Sequence, residues 1–366
     1  MRVTTNFGSG DMVKLPLVSV IITNRNYERY VISAIKSVHS QSYKNIECII
    51  IDDCSDDNSF AVITDFIASQ GDDRFRCIRL GKNLGQMAAF KAGLENSNGL
   101  FIASLDADDI WFTGFVEAHI MAHLNTSYSA GFTASDTMQI DEEGNLLEST
   151  FHMHGKCRSE AAKGSHNIIP KDAVPSIVGG QLTFITKNDE SGLLYLDRSA
   201  RGWSFVAMSS FMFRRAVIEM IVPNDLDRVR ICADYYLARF SHSLSGSLLI
   251  SQAHSAFRMH KRNHFSKNSV LGGPHGPGQF APEMIKNLER LIADHLLQNI
   301  EHFETALGIE FCLKLIQMIY QNHDLVQAVK HSPKLRGLLE KTGHAQDNRR
   351  NSLLKRIWRA RPEAHD

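Results

Sequence analysis

Leu100-Phe101-Ile102-Ala103-Ser104-Leu105-Asp106-Ala107-Asp108-Asp109 is an apolar run that ends in three carboxylates within four residues. The run has the length of a buried strand. Like charges this close repel, and burying them unpaired is very costly. A hard divalent cation with oxygen ligands is the natural counter-charge. A solvated acidic turn capping the helix that starts near Thr113 would give the same local pattern. The residues upstream decide between the two. Val18 to Thr23 is a strand rich in β-branched residues, and Val31, Ala34, Ile35 and Val38 fall on one face of a helix from Tyr30 to His39. Ile46 to Ile51 is a second strand, ending in Asp52-Asp53 and followed by a helix capped at Asp57 or Asn58 that runs to about Ala68. Phe75 to Leu80 is a third strand, Asn83-Leu84-Gly85 a turn, and Gln86 to Glu95 a helix. Strand and helix thus alternate four times in about ninety residues, which predicts a parallel sheet covered by helices.

In such sheets ligands bind at the carboxyl ends of the strands. Those ends are Thr23-Asn24-Arg25-Asn26, Asp52-Asp53 and Asp106-Ala107-Asp108-Asp109, so polar and acidic groups from three strands are expected to converge on one crevice. No GxGxxG follows the first strand, and no GxxxxGK[ST] occurs anywhere, which argues against a dinucleotide oxidoreductase or a P-loop enzyme. A nucleotide bound here would need its phosphates neutralised by something else, and a cation held by the aspartates would serve.

The chain has 366 residues, 43% of them hydrophobic, which is enough for a large core and an appendage. Forty basic residues balance forty acidic ones, so nothing points to nucleic acid as a partner. Six cysteines (48, 54, 77, 157, 232 and 312) are scattered without CxxC or zinc spacing, which fits a reducing cytoplasm. His152-Met153-His154 is a close pair without a third ligand nearby. No signal peptide is visible and no window of eighteen apolar residues occurs, so no membrane span is expected.

The second half reads as mixed strands and loops. Ser129 to Ser135 and Gly180 to Thr186 are predicted strands, with loops and short strands over Asn145 to Gln181. The apolar run Ser204 to Phe213 leads into Arg214-Arg215 and a helix. Cys232 to Phe240 is predicted as a helix, Leu248 to Ser251 as a strand, Ser255 to His260 as a short strand or its exit, and Gly272 to Gly278 as a linker. Helices over Met284–Phe303, Ala306–Gln321 and Leu325–Glu340 follow. The basic segment from Arg349 to Arg361 carries Leu353, Leu354, Ile357 and Trp358; it suits docking on the domain or peripheral contact with an anionic membrane.

Four stretches taken in order carry a family resemblance. They are Val18–Thr23 with Asn26-Tyr27, Ser37 and Gln41; Ile50-Ile51-Asp52-Asp53-Cys54-Ser55-Asp56-Asp57; Asn83-Leu84-Gly85-Gln86-Met87-Ala88-Ala89-Phe90-Lys91-Ala92-Gly93; and Leu105-Asp106-Ala107-Asp108-Asp109. Together they resemble the inverting family-2 glycosyltransferases of the GT-A fold, which use nucleotide sugars. The likeness spans about residues 17–265. Cys54 stands where that family usually has Gly, and Ala233 where it usually has Glu.

The resemblance implies an α/β fold with a Rossmann-like, mostly parallel sheet flanked by helices and a C-terminal helical extension. It divides the chain into a flexible leader (1–15), a nucleotide-sugar-binding half (16–128), an acceptor-binding half (129–270) and a linker with C-terminal helices (271–366). It implies donor binding by Thr23, Asn26, Asp53, Lys91, Asp106 and Arg258, with the Asp53 carboxylate accepting hydrogen bonds from the base. Asp106, Asp108 and His260 would hold Mg²⁺ or Mn²⁺, and Asp234 would be the catalytic base. Trp203 could wall the acceptor site or pack in the core. The implied partners are a nucleotide-sugar donor, in the first place a uridine diphosphate sugar, and a saccharide or lipid-linked acceptor. The implied location is the cytoplasm or the inner membrane face. Two other classes fit parts of the sequence: a sugar-phosphate nucleotidyltransferase, though Thr23-Asn24-Arg25-Asn26-Tyr27 lacks its glycine-rich loop, and a non-catalytic nucleotide-sugar-binding protein, which would be expected to have lost Asp108 or Asp234.

Overall fold

The computed structural model describes residues 14–124, 130–149, 166–167, 174–178, 181–185, 193–200, 205–263 and 282–319, with 333, 334 and 337. Residues 1–13 of the leader, the His152–His154 pair, Trp203, the Gly272–Gly278 linker, nearly all of the predicted helix 325–340 and the basic segment 349–361 lie outside these residues. The chain divides into two compact units, Met1–Ala281 and Pro282–Asp366.

The first unit begins with the predicted alternation. Its elements are β1 (Val18–Asn24), α1 (Val31–His39), β2 (Ile46–Asp52), α2 (Ser59–Gln70), β3 (Phe75–Arg79), α3 (Gln86–Glu95) and β4 (Phe101–Asp106). β1 pairs in parallel with β2 and with β4, and β2 with β3. All seven residues of β1 and of β2 are buried, as continuous apolar runs require when both faces of a sheet are covered. On one face Val18, Val20 and Ile22 pack with Val31, Ala34, Ile35 and Val38 of α1. On the other, Ile49 and Ile51 meet Ala89 of α3. Each such side chain contributes about 1.5–3 kcal/mol on burial.

Beyond β4 the sheet changes character. The elements continue with β5 (Ile110–Trp111), α4 (Phe115–Leu124), β6 (Phe132–Ile140), β7 (Leu146–Glu148), β8 (His166–Asn167), the hairpin β9 (Val174–Val178) and β10 (Gln181–Ile185), β11 (Leu193–Leu196), a 3₁₀ turn (Met208–Ser210), β12 (Phe211–Arg214), α5 (Arg215–Ile221), α6 (Ala233–Ser245) and β13 (Ser247–Arg258). The strand order is β3-β2-β1-β4-β12-β6-β13-β11-β8. β12 runs antiparallel between β4 and β6, while β13 pairs in parallel with β6. The parallel core expected from the sequence therefore covers the first four strands, and a mixed half continues from it.

β13 is one strand where the sequence reading ended a strand at Ser251. Its pairing with β6 shifts register between Ile250 and Ala253 and again between Ala253 and Ser255. Bulges of this kind interrupt the apolar pattern without ending the strand. The second unit holds α7 (Pro282–Gln298), α8 (Ile300–Leu307) and α9 (Ile309–Ile319). Leu288, Leu291, Leu296, Phe303, Leu315 and Ile316 are among its buried apolar positions. The predicted first helix, to Phe303, is broken at Asn299.

Candidate active site

The carboxyl ends of β1, β2 and β4 open into a cavity of about 830 Å³. Thr23, Asn26, Asp53, Asp106, Asp108 and Asp234 all line it. These residues come from four separate stretches of sequence. β1, β2 and β4 deliver the first five at their ends, and the N-terminus of α6 delivers Asp234.

Asp106 is held by two neutral donors. Thr23 Oγ1 donates to its Oδ1 at 3.3 Å, and Gln86 Nε2 donates to the same oxygen at 3.0 Å. Asp108 is held by two rings: Tyr27 donates a hydrogen bond to its carboxylate, and His260 Nε2 lies 2.9 Å from its Oδ2. The backbone N–H of Arg262 donates to His260 Nδ1 at 3.1 Å. That bond makes Nδ1 the acceptor, so the network assigns the ring proton to Nε2 and makes His260 a donor to Asp108. Asp109 turns away from the cavity. It accepts from Ser209 Oγ at 2.6 Å and from the Arg258 backbone at 2.9 Å.

Three of the expected site residues do not line the cavity. Lys91 pairs with Glu95 one helical turn on. Arg258 is 4% exposed. Its guanidinium is used on the backbone: Nε donates to the Asp108 carbonyl at 2.9 Å, and Nη1 to the carbonyls of Asp141 and Glu142 at 3.1 and 3.0 Å. It braces the acidic turn from behind. His260 is buried behind Asp108 and stacks on Tyr30, with ring centroids 5.3 Å apart.

Asp53 lines the cavity but already accepts two backbone bonds, from Leu84 N–H at 2.7 Å and Gly85 N–H at 2.8 Å. It thereby pins the turn before α3 to the end of β2. That turn also reaches the stretch before α6, since Gln86 N–H donates to the Arg230 carbonyl at 3.0 Å. A Cβ on Gly85 would stand 2.8 Å from that carbonyl oxygen, and Gly85 has φ +91°. Among the described residues, three that are not glycine also have left-handed backbone: Asn26 (φ 59°), Cys54 (φ 58°) and Cys232 (φ 62°). Asn26 and Cys232 line the cavity, and Cys54 follows Asp53. The positive φ accounts for the family's usual Gly where Cys54 stands.

The electrostatics follow from crowding. Burial, then Asp108 and Asp234, raise Asp106 to about 7. Burial, then Asp108 and Asp106, raise Asp109 well above the ordinary range. Burial raises Asp234 to about 6, against a backbone bond from Tyr235 that lowers it. Tyr235 N–H donates to Asp234 Oδ1 at 2.8 Å, and the residue's own N–H also lowers the carboxylate. The strand end is thus short of positive charge.

Residues 19–167 match Glycosyl transferase family 2. The chain carries a family-2 glycosyltransferase domain. An uncharacterized glycosyltransferase of Nostoc sp. is 28% identical to it over 268 residues, covering 73% of this chain and 72% of that protein. The UDP-Glc:alpha-D-GlcNAc-diphosphoundecaprenol beta-1,3-glucosyltransferase WfaP of Escherichia coli is 38% identical over 99 residues, 27% of this chain and 38% of that protein. Against the E. coli enzyme the match therefore covers well under two thirds of the relative. Among solved structures, TarS of S. aureus in complex with UDP superposes with a TM-score of 0.47 at 13% identity, covering 83% of this glycosyltransferase and 72% of that chain. The mannosyltransferase PcManGT of Pyrobaculum calidifontis in complex with GDP-Man and Mn²⁺ gives 0.45 at 14% identity, covering 91% and 76%. The glycosyltransferase has the α/β fold that the resemblance implied.

Sequence reading missed Gln86, Ser209, Arg230 and Arg262. Ser209 donates to Asp109 and accepts from the Asp106 backbone at 3.0 Å, from 103 positions further along the chain. No local pattern marks such a residue.

Proposed function

We propose that this chain is an inverting glycosyltransferase. It moves a sugar from a nucleoside diphosphate sugar, in the first place a uridine diphosphate sugar, to a hydroxyl of a saccharide or lipid-linked acceptor in polysaccharide or glycolipid synthesis. The observation that carries this is the meeting of Asp106, Asp108 and Asp234 on one cavity, close enough that Asp234 raises Asp106. The acceptor named for the E. coli relative, a diphosphoundecaprenol-linked sugar, supports the lipid-linked class. Family membership sets the nucleotidyltransferase alternative aside.

Thr23, Asn26 and Asp53 form the wall for the nucleoside. Asp234 is the base. Its carboxylate takes the acceptor hydroxyl's proton while the hydroxyl oxygen bonds the anomeric carbon and the bond to the diphosphate breaks. One displacement inverts the centre. A carboxylate at about 6 is ionised at neutral pH yet a better base than an exposed aspartate. Tyr27 and His260 orient Asp108, and Thr23 and Gln86 orient Asp106.

The donor set fits a hard divalent cation. Asp106 and Asp108 present oxygen ligands where burial, and then the neighbouring carboxylates, push up both Asp106 and Asp109. Among the described residues no three His, Cys, Asp or Glu form a ready cation site, so donor phosphate oxygens and water would complete the shell. Mg²⁺ or Mn²⁺ held there would neutralise the departing diphosphate. Among the described residues no helix is long and apolar enough to cross a membrane. Work in the cytoplasm or at its membrane face is part of the proposal.

Calorimetric titration with UDP, GDP and dTDP, each with and without Mn²⁺, tests this. Metal-dependent binding of one of them is expected, and no binding of any would remove the reading. Asp234→Asn should keep that binding and lose about 10²- to 10⁴-fold in turnover. Normal turnover in this variant would rule out Asp234 as the base.

A further inference from the structure

The charge on the cavity wall raises the question of which cationic side chain meets the diphosphate. Asp53, Asp56, Asp57, Asp106, Asp108 and Asp234 all line the cavity, and a nucleoside diphosphate adds more negative charge. The arginines on the wall are Arg25, Arg230 and Arg262. Two of them are already engaged. Arg25 Nη1 donates to the carbonyls of Asp53 and Cys54 at 2.7 and 2.6 Å, and its Nη2 pairs with Asp56 at 2.9 Å. Arg230 Nη2 donates to the carbonyl and side-chain oxygens of Asn83, both at 3.2 Å, and its Nη1 lies 3.6 Å from Asp227. Lys91, paired with Glu95, and Arg258, bonded to backbone carbonyls, are both off the wall.

Arg262 differs. Its side chain is exposed, and Nη1 donates to the Asn26 carbonyl at 2.9 Å. Burial raises Asp57, but that carboxylate's own hydrogen bonds and then the Arg262 charge hold it below the ordinary carboxylate range; among the described residues no further hydrogen bond of the guanidinium is formed. The guanidinium rides on a turn built onto the acidic strand end. His260 N–H donates to Asn263 Oδ1 at 2.5 Å, Asn263 Nδ2 donates to the Arg258 carbonyl at 3.1 Å, and the Arg262 backbone holds the His260 ring that bonds Asp108. A planar fork with free donors, carried on a fixed turn beside Asp108, suits bidentate binding of a phosphate.

We propose that Arg262 is the cationic side chain that binds the donor's diphosphate, in place of Arg258, which the family resemblance named among the donor-binding residues. This rests on the nucleotide-sugar reading above. The test is calorimetric titration of the full chain and of Arg262→Ala, Arg262→Gln and Arg262→Lys with UDP and with uridine, in Mn²⁺. GDP or dTDP, with its nucleoside, replaces UDP if the wild-type chain selects it. Arg262→Ala and Arg262→Gln should lose about 10- to 100-fold in UDP affinity, with uridine affinity kept within about twofold. Arg262→Lys should fall between them and the wild type. An unchanged thermal midpoint shows that the fold is intact, as expected for an exposed side chain. UDP affinity equal to wild type in the alanine and glutamine variants overturns the inference alone. So does an equal loss for UDP and uridine, which would place Arg262 on the nucleoside through Asn26. A wild-type chain that binds none of the three nucleotides removes the functional reading and this inference with it.

Discussion

Replacing Gly85 by alanine should destabilise the first unit well beyond what its backbone angle alone predicts. Gly85 has φ 91° and ψ 169°, a region essentially closed to residues with a Cβ. Holding alanine there costs about 1–3 kcal/mol. The new methyl would also stand 2.8 Å from the Arg230 carbonyl oxygen and 2.9 Å from its Cα. Both are backbone atoms that cannot swing aside, and forcing such a contact costs about 1–3 kcal/mol more. The two terms relax together, so about 2–5 kcal/mol is expected, or roughly 5–15 °C in melting temperature. Gly71→Ala is the control. Gly71 has φ 60° with nothing within 4 Å of a built Cβ, so it reports the left-handed backbone cost alone, about 1–2 kcal/mol. Thermal unfolding by circular dichroism would compare the two. Because Asp53 grips the Leu84 and Gly85 N–H groups, Gly85→Ala should also weaken nucleotide binding, and Gly71→Ala should not. A Gly85→Ala protein that melts no lower than Gly71→Ala would refute the claim that this turn is seated against Arg230.

Other expectations follow from the same network. Turnover should fall below pH 6 with an apparent pKa of about 6, because Asp234 must be ionised to accept the proton; the pH–rate profile of kcat/KM checks this, and a flat acid limb would count against Asp234 as base. Burial, then Arg214, lowers His123 to about 3, so its neutral form is favoured on folding and stability is lost as pH falls from 6.5 toward that value. The raised carboxylates Asp106 and Asp234 act in the opposite sense, so the comparison must be with His123→Leu: relative to wild type its stability should rise by about 1.4 kcal/mol per pH unit between pH 6 and 4, measured by urea titration. A gap that does not change with pH would contradict it. Ser209→Ala should cost about 1–3 kcal/mol, since the buried Asp109 oxygen loses its hydroxyl donor, and Mn²⁺-dependent nucleotide affinity should drop as the acidic turn loosens; unfolding and titration of one variant read both.

The half of the fold that was legible is the half made of local patterns. β1 to β4 and α1 to α3 are apolar periodicities with turn residues between them, and their boundaries fall within about two residues of the reading. The convergence of Asp53, Asp106 and Asp108 followed from the rule for strand ends. β12 was not legible as a partner of β4, because an antiparallel insertion between β4 and β6 is a property of the sheet rather than of Phe211–Arg214. Arg258 shows the limit for side chains. Its identity and spacing suit a phosphate ligand, yet its guanidinium is taken by carbonyls brought from the turn at Asp141 and Glu142, more than a hundred residues away. Arg262, four positions on, has the freedom that Arg258 lacks.

The three left-handed residues that are not glycine have a bearing on any attempt to make this protein more robust. Asn26, Cys54 and Cys232 hold backbone that glycine would adopt without penalty, and for the cysteines that penalty is about 1–2 kcal/mol each. A campaign of heat selection would therefore find some of its cheapest gains around the cavity, where loosening the backbone also threatens the spacing of Asp53 and Asp234. Tolerance of temperature and catalytic skill would be traded at the same few positions, and hardening this chain without dulling it would have to begin elsewhere.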